Sequence, residues 1–233
     1  LEAKNLLAET YIRTTNYETA IKILEETLRE SEELNDSFNI AYSLCLLGFS
    51  YDWIGVNNEK ILPYYKRALS ISKKIDDNHA ISNCLQELSS YYAKRCDLNK
   101  WSDYNKKSYL LLKKLGDKKS ISMNLMGESE ILILQGEYLD SIETMKKAYK
   151  IGEEVGSLYW SSILEGVLGT WYYLSGDFNK ALKHLEHSLK NMSNTNEEQI
   201  QLMDTLLFLS LTKKELKMQY NIDEIEKSIK KDK

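Results

Sequence analysis

The residues best placed for metal chemistry are His184 and His187, with Glu186 between them. On a helix this spacing puts two imidazoles on adjacent turns, where they could share a zinc ion. The apolar pattern of the surrounding segment, however, assigns the core positions to Leu185 and Ser188. We therefore expect both histidines to face solvent, and we predict no metal site. His79 falls in a predicted loop without a neighbouring set of ligands.

Motifs for catalysis are absent from the chain. It has no HExxH, no phosphate-binding glycine loop and no order of Ser, His and Asp typical of a hydrolase. Paired carboxylates such as Glu32-Glu33 and Glu153-Glu154 fall at predicted helix ends, and with 35 acidic residues in the chain such pairs carry little information. We predict no catalytic residues, no cofactor and no enzyme activity.

Charge and composition narrow the classes of partner. The net charge of −4 argues against a protein held on nucleic acid by neutralising phosphates, so we predict no nucleic-acid binding by this region. No apolar run reaches about 18 residues, and we predict no membrane span. Cys45, Cys84 and Cys96 are odd in number and lack CxxC spacing, which favours free thiols in a reducing compartment. We therefore expect a cytoplasmic location.

A short segment recurs along the chain and predicts how it is organised. Gly136–Ser141 and Gly176–Ala181 both read small residue, acid, aromatic, two linker positions, small residue. Weaker copies begin at Thr15, Gly55 and Cys96. A period of about 40 residues is typical of stacked repeats, which grow in one dimension.

Each repeat carries two amphipathic helical patterns. When repeats are counted from residues 1, 41, 82, 122 and 162, positions 4, 7, 8 and 11 share one face of a first helix. The eighth position is always small, which would let a second helix approach closely: Ala8, Gly48, Ser89, Ser129 and Gly169. We expect Pro63 in the first turn of a second helix that begins near Ile61.

Signals for helix ends separate these patterns. A glycine in the recurrent segment suits a left-handed cap. Between repeats, a stop residue precedes a residue suited to cap the next helix, at Asn35-Asp36, Asp76-Asp77, Gly116-Asp117 and Gly156-Ser157. We predict helix, turn, helix throughout. Residues 197–233 keep helical periodicity but lose the repeat signature, as capping elements do.

The segments Leu47-Gly48-Phe49-Ser50-Tyr51 and Leu168-Gly169-Thr170-Trp171-Tyr172 resemble the tetratricopeptide repeat. The spacing is similar to the longer subclass found in bacterial peptide-sensing regulators and in G-protein-regulator scaffolds. The resemblance implies an all-α, right-handed superhelical solenoid of about five hairpins. It would form a single repeat domain over 1–233, with units 1–40, 41–81, 82–121, 122–161 and 162–196 and capping helices 197–233. Because the chain opens on Leu1, we expect a piece of a longer protein.

The resemblance also implies a concave face built from the first helix of each unit, where a protein or peptide would bind. Its predicted residues are Asn5, Glu9, Arg13, Tyr42, Phe49, Asp52, Trp53, Asn83, Gln86, Ser90, Lys94, Met123, Met126, Glu130, Ile133, Thr170 and Tyr173. The same face includes Ile163, Gly166 and Leu174 in the fifth unit. The first three units are polar and aromatic there, and the last two are mainly apolar, so we expect hydrophobic anchors of a peptide at units four and five.

Three other interpretations stay open. The apolar positions could be covered by the chain's own terminal helices or by a second copy in a homodimer, or they could hold a small ligand. As an alternative function, the chain could be the ligand-sensing regulatory half of a transcription regulator that responds to a bound peptide.

Overall fold

The computed structural model describes residues 1–55, 58–192 and 200–218. Within these residues the chain forms eleven α-helices and no β-strand. The helices belong to two compact units, Leu1–Gly116 and Asp117–Lys233. The predicted all-α fold is confirmed.

The first unit holds three helical hairpins. Each helix packs against the next one in the chain, and the first helices of neighbouring hairpins also touch. The six helices are α1 (Glu2–Arg13), α2 (Tyr17–Glu33), α3 (Ser37–Trp53), α4 (Asn58–Lys74), α5 (Asn78–Ala93) and α6 (Leu98–Leu115).

The second unit holds two hairpins and one further helix. Here α11 packs on α10 and also reaches α9, so it closes the end of the last hairpin. The five helices are α7 (Lys118–Gln135), α8 (Tyr138–Glu154), α9 (Leu158–Leu174), α10 (Phe178–Met192) and α11 (Ile200–Glu215). The second capping helix expected around Ile222 and Ile229 lies outside the described residues.

The turns inside the hairpins adopt the predicted left-handed backbone. Gly55, Gly136 and Gly176 have φ angles of 75°, 83° and 84°. Thr15 and Cys96 take the same conformation at φ 57° and 54°, although they carry side chains. Since this conformation costs little only for glycine, the copies of the segment that begin at Thr15 and Cys96 hold their turns with more strain.

Between hairpins, the predicted N-caps are confirmed. Each side chain accepts a hydrogen bond from a backbone N–H two or three residues further on, which satisfies a donor that the helix leaves unpaired. The caps are Asp36, Asp77, Asp117 and Ser157. The helices they cap begin at Ser37, Asn78, Lys118 and Leu158, just before the predicted repeat starts at 41, 82, 122 and 162.

Small residues at the eighth position permit close packing of the two helices in a hairpin. A Cβ atom on Gly48 would lie 2.8 Å from the ring of Tyr65, and one on Gly169 would lie 2.7 Å from Leu185. Leu47 is fully buried, and burying such a side chain contributes about 2 kcal/mol. The equivalent Leu7 is 48% exposed.

The prediction for Pro63 is wrong. The helix α4 begins at Asn58, so Pro63 lies inside it rather than in its first turn. Ile61 and Tyr65 are each only 1% exposed on either side of the proline. Their burial stabilises helical backbone through this segment and outweighs the hydrogen bond that proline cannot donate.

Candidate ligand groove

A cavity of about 460 Å³ opens in the second unit between α7, α9 and α11. This volume lies within the range of ligand sites in proteins. We call it the ligand groove and define it by its thirteen lining residues: Met123, Met126, Glu130, Trp160, Ile163, Gly166, Val167, Thr170, Trp171, Leu174, Asp204, Thr205 and Phe208.

The first helices of the two hairpins position most of the predicted residues of this unit in the groove. Met123, Met126 and Glu130 come from α7, because residues three or four apart share one helical face. Thr170 comes from α9, together with the neighbouring predicted positions that line the same wall, Ile163, Gly166 and Leu174.

Two predicted residues of this unit are not among the lining residues. Ile133 is partly buried on α7. The ring of Tyr173 packs against those of Phe178 and Phe208, with centroids 5.5 Å apart in both cases. Tyr173 therefore supports the wall formed by Phe208. A charged substitution at Tyr173 would disturb this packing, so it could not report on ligand contact alone.

Two tryptophans that sequence reasoning missed form part of the lining. The indole N–H of Trp160 donates to Ser122 Oγ at 2.8 Å, and that of Trp171 donates to Ser129 Oγ at 2.9 Å. Both serines lie on α7, so these bonds tie α9 to α7 and hold the rings in place. A partly buried indole needs such a partner, but the repeat pattern does not show where the partner is.

The helix α11, which the sequence analysis considered only as a cover for the apolar positions, also supplies lining residues. It contributes Asp204, Thr205 and Phe208. A close approach is possible because Gly166 has no side chain: a Cβ there would lie 2.8 Å from Thr205 Oγ1 and 2.9 Å from Ser188 Oγ. The helix α11, the last one that the structure describes, therefore forms one wall of the groove.

The electrostatic character of the groove is acidic. Burial raises the pKa of Glu130 from 4.5 to about 7. Among the described residues Glu130 has no hydrogen bond or ion pair that would offset its loss of water. Asp204 is the second acid, and none of the thirteen lining residues is basic. The groove thus combines an apolar lining with two acidic side chains and, among its thirteen lining residues, no basic one.

In the first unit, Asn5 is not available to a ligand. It is fully buried; its Nδ2 donates to Asn39 Oδ1 at 3.0 Å, and its Oδ1 accepts from Ser43 Oγ at 2.8 Å. The prediction that Asn5 binds a peptide is therefore wrong. The helices α1 and α3 approach each other at this point, and the amide satisfies polar groups between them.

Two other predicted residues of the first unit meet in an ion pair. Asp52 Oδ2 lies 2.8 Å from Lys94 Nζ, and Asp52 Oδ1 lies 2.8 Å from Arg95 Nη2. Burial alone would raise the pKa of Asp52, but the hydrogen bonds from Lys94 and Arg95 outweigh it and hold the pKa below its ordinary value. Lys94 Nζ also lies 4.4 Å from the ring centroid of Trp53.

The other predicted residues of the first unit differ in how far they are buried and in what they contact. Burial, and next the carboxylate of Glu9, raise the pKa of Tyr42. The ring of Phe49 lies 6.0 Å from that of Trp53. The side-chain Nε2 of Gln86 is buried with no hydrogen-bond partner among the described residues. Arg13, Asn83 and Ser90 are exposed.

The expectation that both histidines face solvent is wrong for His184. Nδ1 of His184 lies 3.2 Å from Glu165 Oε1, and Nδ1 of His187 lies 2.6 Å from Glu165 Oε2. The ring of His184 also stacks on Tyr172, with centroids 5.4 Å apart. Glu165 is a buried carboxylate on α9, and a buried charge of this kind requires partners, which the two imidazoles provide.

In the part of the chain that the structure describes, no group of three or more His, Cys, Asp or Glu side chains is arranged to hold a metal ion. Nor does any helix in that part have the length and apolar character needed to cross a membrane.

Comparison with known families identifies the class of protein. Models of the tetratricopeptide repeat match residues 5–36 and residues 120–194, one match in each unit. The hairpins and their left-handed turns have the architecture that these matches imply. These two segments are tetratricopeptide repeats, and the resemblance noted in the sequence is confirmed there. No curated protein sequence matches it.

Solved structures share this fold. BtubC (BKLC) from P. vanneervenii is 15% identical with a TM-score of 0.74, and the match covers 86% of this chain and 84% of that one. The apo form of RapI is 15% identical with a TM-score of 0.67, covering 93% of this chain and 80% of that one. At such identities the likeness shows the fold alone.

A third structure is much longer than this chain. The STAND protein PH0952 from Pyrococcus horikoshii, described as having a tetratricopeptide repeat sensor, is 22% identical with a TM-score of 0.77. The match covers 97% of this chain but 34% of that one, so this chain spans about a third of its length.

Proposed function

We propose that the chain is a protein- or peptide-binding scaffold that holds its ligand in the ligand groove of the second unit. The groove itself is the observation that supports this function. Its lining is dominated by Met, Ile, Val, Leu and aromatic side chains, with a few polar groups among them. Such a surface accommodates the apolar side chains of a peptide, and methionine adapts to ligands of different shape.

The length of the groove favours a peptide over a compact small molecule. On α9 the lining residues extend from Trp160 to Leu174, which is about 20 Å along a helix rising about 1.5 Å per residue. An extended peptide spans that distance with about six residues. The hydroxyl of Thr170 donates to the carbonyl of Gly166 at 3.1 Å, so its oxygen can still accept a hydrogen bond from a peptide N–H.

A selection from displayed peptides tests this function. The intact chain is used to select from a library of random peptides of about twelve residues, twice the length that the groove accommodates. The dissociation constants of the selected peptides are then measured by titration calorimetry. Met123→Asp should weaken binding at least about tenfold, because it puts a carboxylate against apolar ligand atoms. Met123 is 40% exposed, so the variant should still fold.

Met203→Asp is the matched control. Met203 is 57% exposed on α11 and is not a lining residue. We expect this variant to bind the selected peptides as the wild type does, with the same helical circular dichroism. If the selected peptides bind the wild type and both variants equally well, the groove is not their binding site. If no peptide can be selected, the proposed function is rejected.

A second candidate is a ligand-sensing part of a larger regulator. It is favoured by the likeness to a protein described as having a tetratricopeptide repeat sensor, of which this chain covers 34%. Determining the full coding sequence would test it. A DNA-binding helix-turn-helix segment encoded before Leu1 would support a transcription regulator, whereas a coding sequence without any effector domain would reject it.

A further inference from the structure

We propose that the ligand groove selects peptides in which an arginine or lysine stands beside apolar residues, and that the carboxylate of Glu130 pairs with this basic side chain. This inference rests on the proposed function and specifies the chemistry of its ligand.

Charge complementarity is the first argument. The thirteen lining residues include two acids, Glu130 on α7 and Asp204 on α11, and no Lys, Arg or His. A ligand that fills the groove removes water from these carboxylates. A purely apolar ligand would therefore bury negative charge without compensation, while a ligand with a cation would offset that cost.

The second argument is that Glu130, unlike Asp52 and Glu165, has no charged or imidazole partner among the described residues. Asp52 has ion pairs with Lys94 and Arg95, and Glu165 has contacts with two imidazoles. Glu130 has no such partner among the described residues, and burial alone accounts for its raised pKa. A carboxylate left in this state gains more from a cation brought by a ligand than a paired one does.

The aromatic residues of the groove favour arginine over lysine. Trp160 and Trp171 line the same cavity as Glu130, and their N–H groups are already bonded to serines of α7. A guanidinium ion binds a carboxylate with two parallel hydrogen bonds, and it also stacks on aromatic faces better than an ammonium ion does. We therefore expect arginine to be the preferred basic residue.

The test is a cycle of protein and peptide variants. From the peptides selected by display, one containing arginine is synthesised together with its lysine and glutamine versions. Their dissociation constants are measured with the wild type, with Glu130→Gln and with Glu143→Gln. Glu143 is an exposed acid on α8 outside the groove, so it provides the same carboxyl-to-amide change as a control.

The wild type and Glu143→Gln should prefer the arginine peptide over the glutamine peptide by about tenfold or more. Glu130→Gln should lose most of this preference and bind the glutamine peptide no worse than the wild type does. This pattern separates pairing with Glu130 from a general attraction to an acidic surface.

Two sets of results would contradict the proposal in different ways. If Met123→Asp weakens binding but the selected peptides show no basic preference, or keep it in Glu130→Gln, the groove binds peptides and the pairing is wrong. If Met123→Asp leaves binding unchanged, or instead dissociates a dimer in analytical ultracentrifugation, the proposed function fails and this inference fails with it.

Discussion

The raised pKa of Glu130 predicts how the stability of the protein depends on pH. The folded-state pKa is about 7, above its ordinary value of 4.5, so the folded protein holds this proton more tightly than the unfolded chain. The associated stability is fully present below pH 4.5 and is lost as the pH rises through 7. The full loss corresponds to about 3 kcal/mol, since one pKa unit is worth about 1.4 kcal/mol.

Glu130→Gln should remove this loss, because the amide stays neutral at every pH. The stability of the variant relative to the wild type should therefore increase by about 2–3 kcal/mol as the pH is raised from about 5 to about 8.5. The assay is urea unfolding at several pH values, followed by tryptophan fluorescence and circular dichroism. If fluorescence and circular dichroism give the same midpoint, the protein unfolds in a single transition and the free energies can be compared. Burial also raises the pKa of Glu87 to about 7. Because Glu87 is present in both the wild type and Glu130→Gln, its titration does not change the difference in stability between them.

Glu143→Gln is the control for the loss of a carboxylate. Glu143 forms an exposed ion pair with Lys147, and such pairs contribute about 0.5 kcal/mol or less. A gain for Glu130→Gln that stays the same at every pH would refute the reasoning. It would mean that the Glu130 carboxylate is well compensated in the folded protein, and the main argument for a basic ligand would be lost.

Three further predictions concern packing and polar contacts, and each is measured by chemical denaturation. Asn5→Ala should destabilise the protein by about 1–3 kcal/mol, because the buried side-chain oxygen of Asn39 and the buried hydroxyl of Ser43 each lose the hydrogen bond that Asn5 makes with them. Gly169→Ala should cost about 1–3 kcal/mol, because its Cβ would lie 2.7 Å from Leu185; an unchanged midpoint would show that the leucine can move aside. Asp52→Asn should cost about 1–2 kcal/mol at neutral pH, with the difference shrinking as the pH falls through the lowered pKa of Asp52; a constant difference would argue against the ion pairs.

Local features of the fold followed from the sequence because they depend on residues close together in the chain. The turn at Gly136 and the cap at Asp117 involve a left-handed residue or one side chain bonded to a nearby N–H. The repeat period also predicted which helices pack together, because the two helices of each hairpin are consecutive in the chain. Pro63 escaped this reasoning, because the start of α4 depends on burial against other helices rather than on the proline's own preference.

The groove was only partly predictable. Helical spacing placed Met123, Met126 and Glu130 on one face of α7, and this face does line the cavity. The period could not show that Asn5 is enclosed between two first helices, because that depends on how closely α1 and α3 approach. Nor could the repeat period show that Glu165 contacts both His184 and His187, since Glu165 lies on α9 and the histidines lie on α10.

The sequence by itself determined the class of fold, because repeat period, small residues and capping signals are local and add up along the chain. Tertiary structure alone decided which side chains surround the cavity and that Glu130 lies among them without an ion pair to any described residue. The wall contributed by Phe208 carries no repeat signature, and the indole of Trp171 finds its serine on a different helix. Burial, and therefore the pKa of Glu130, results from distances between helices, and no local pattern encodes those distances.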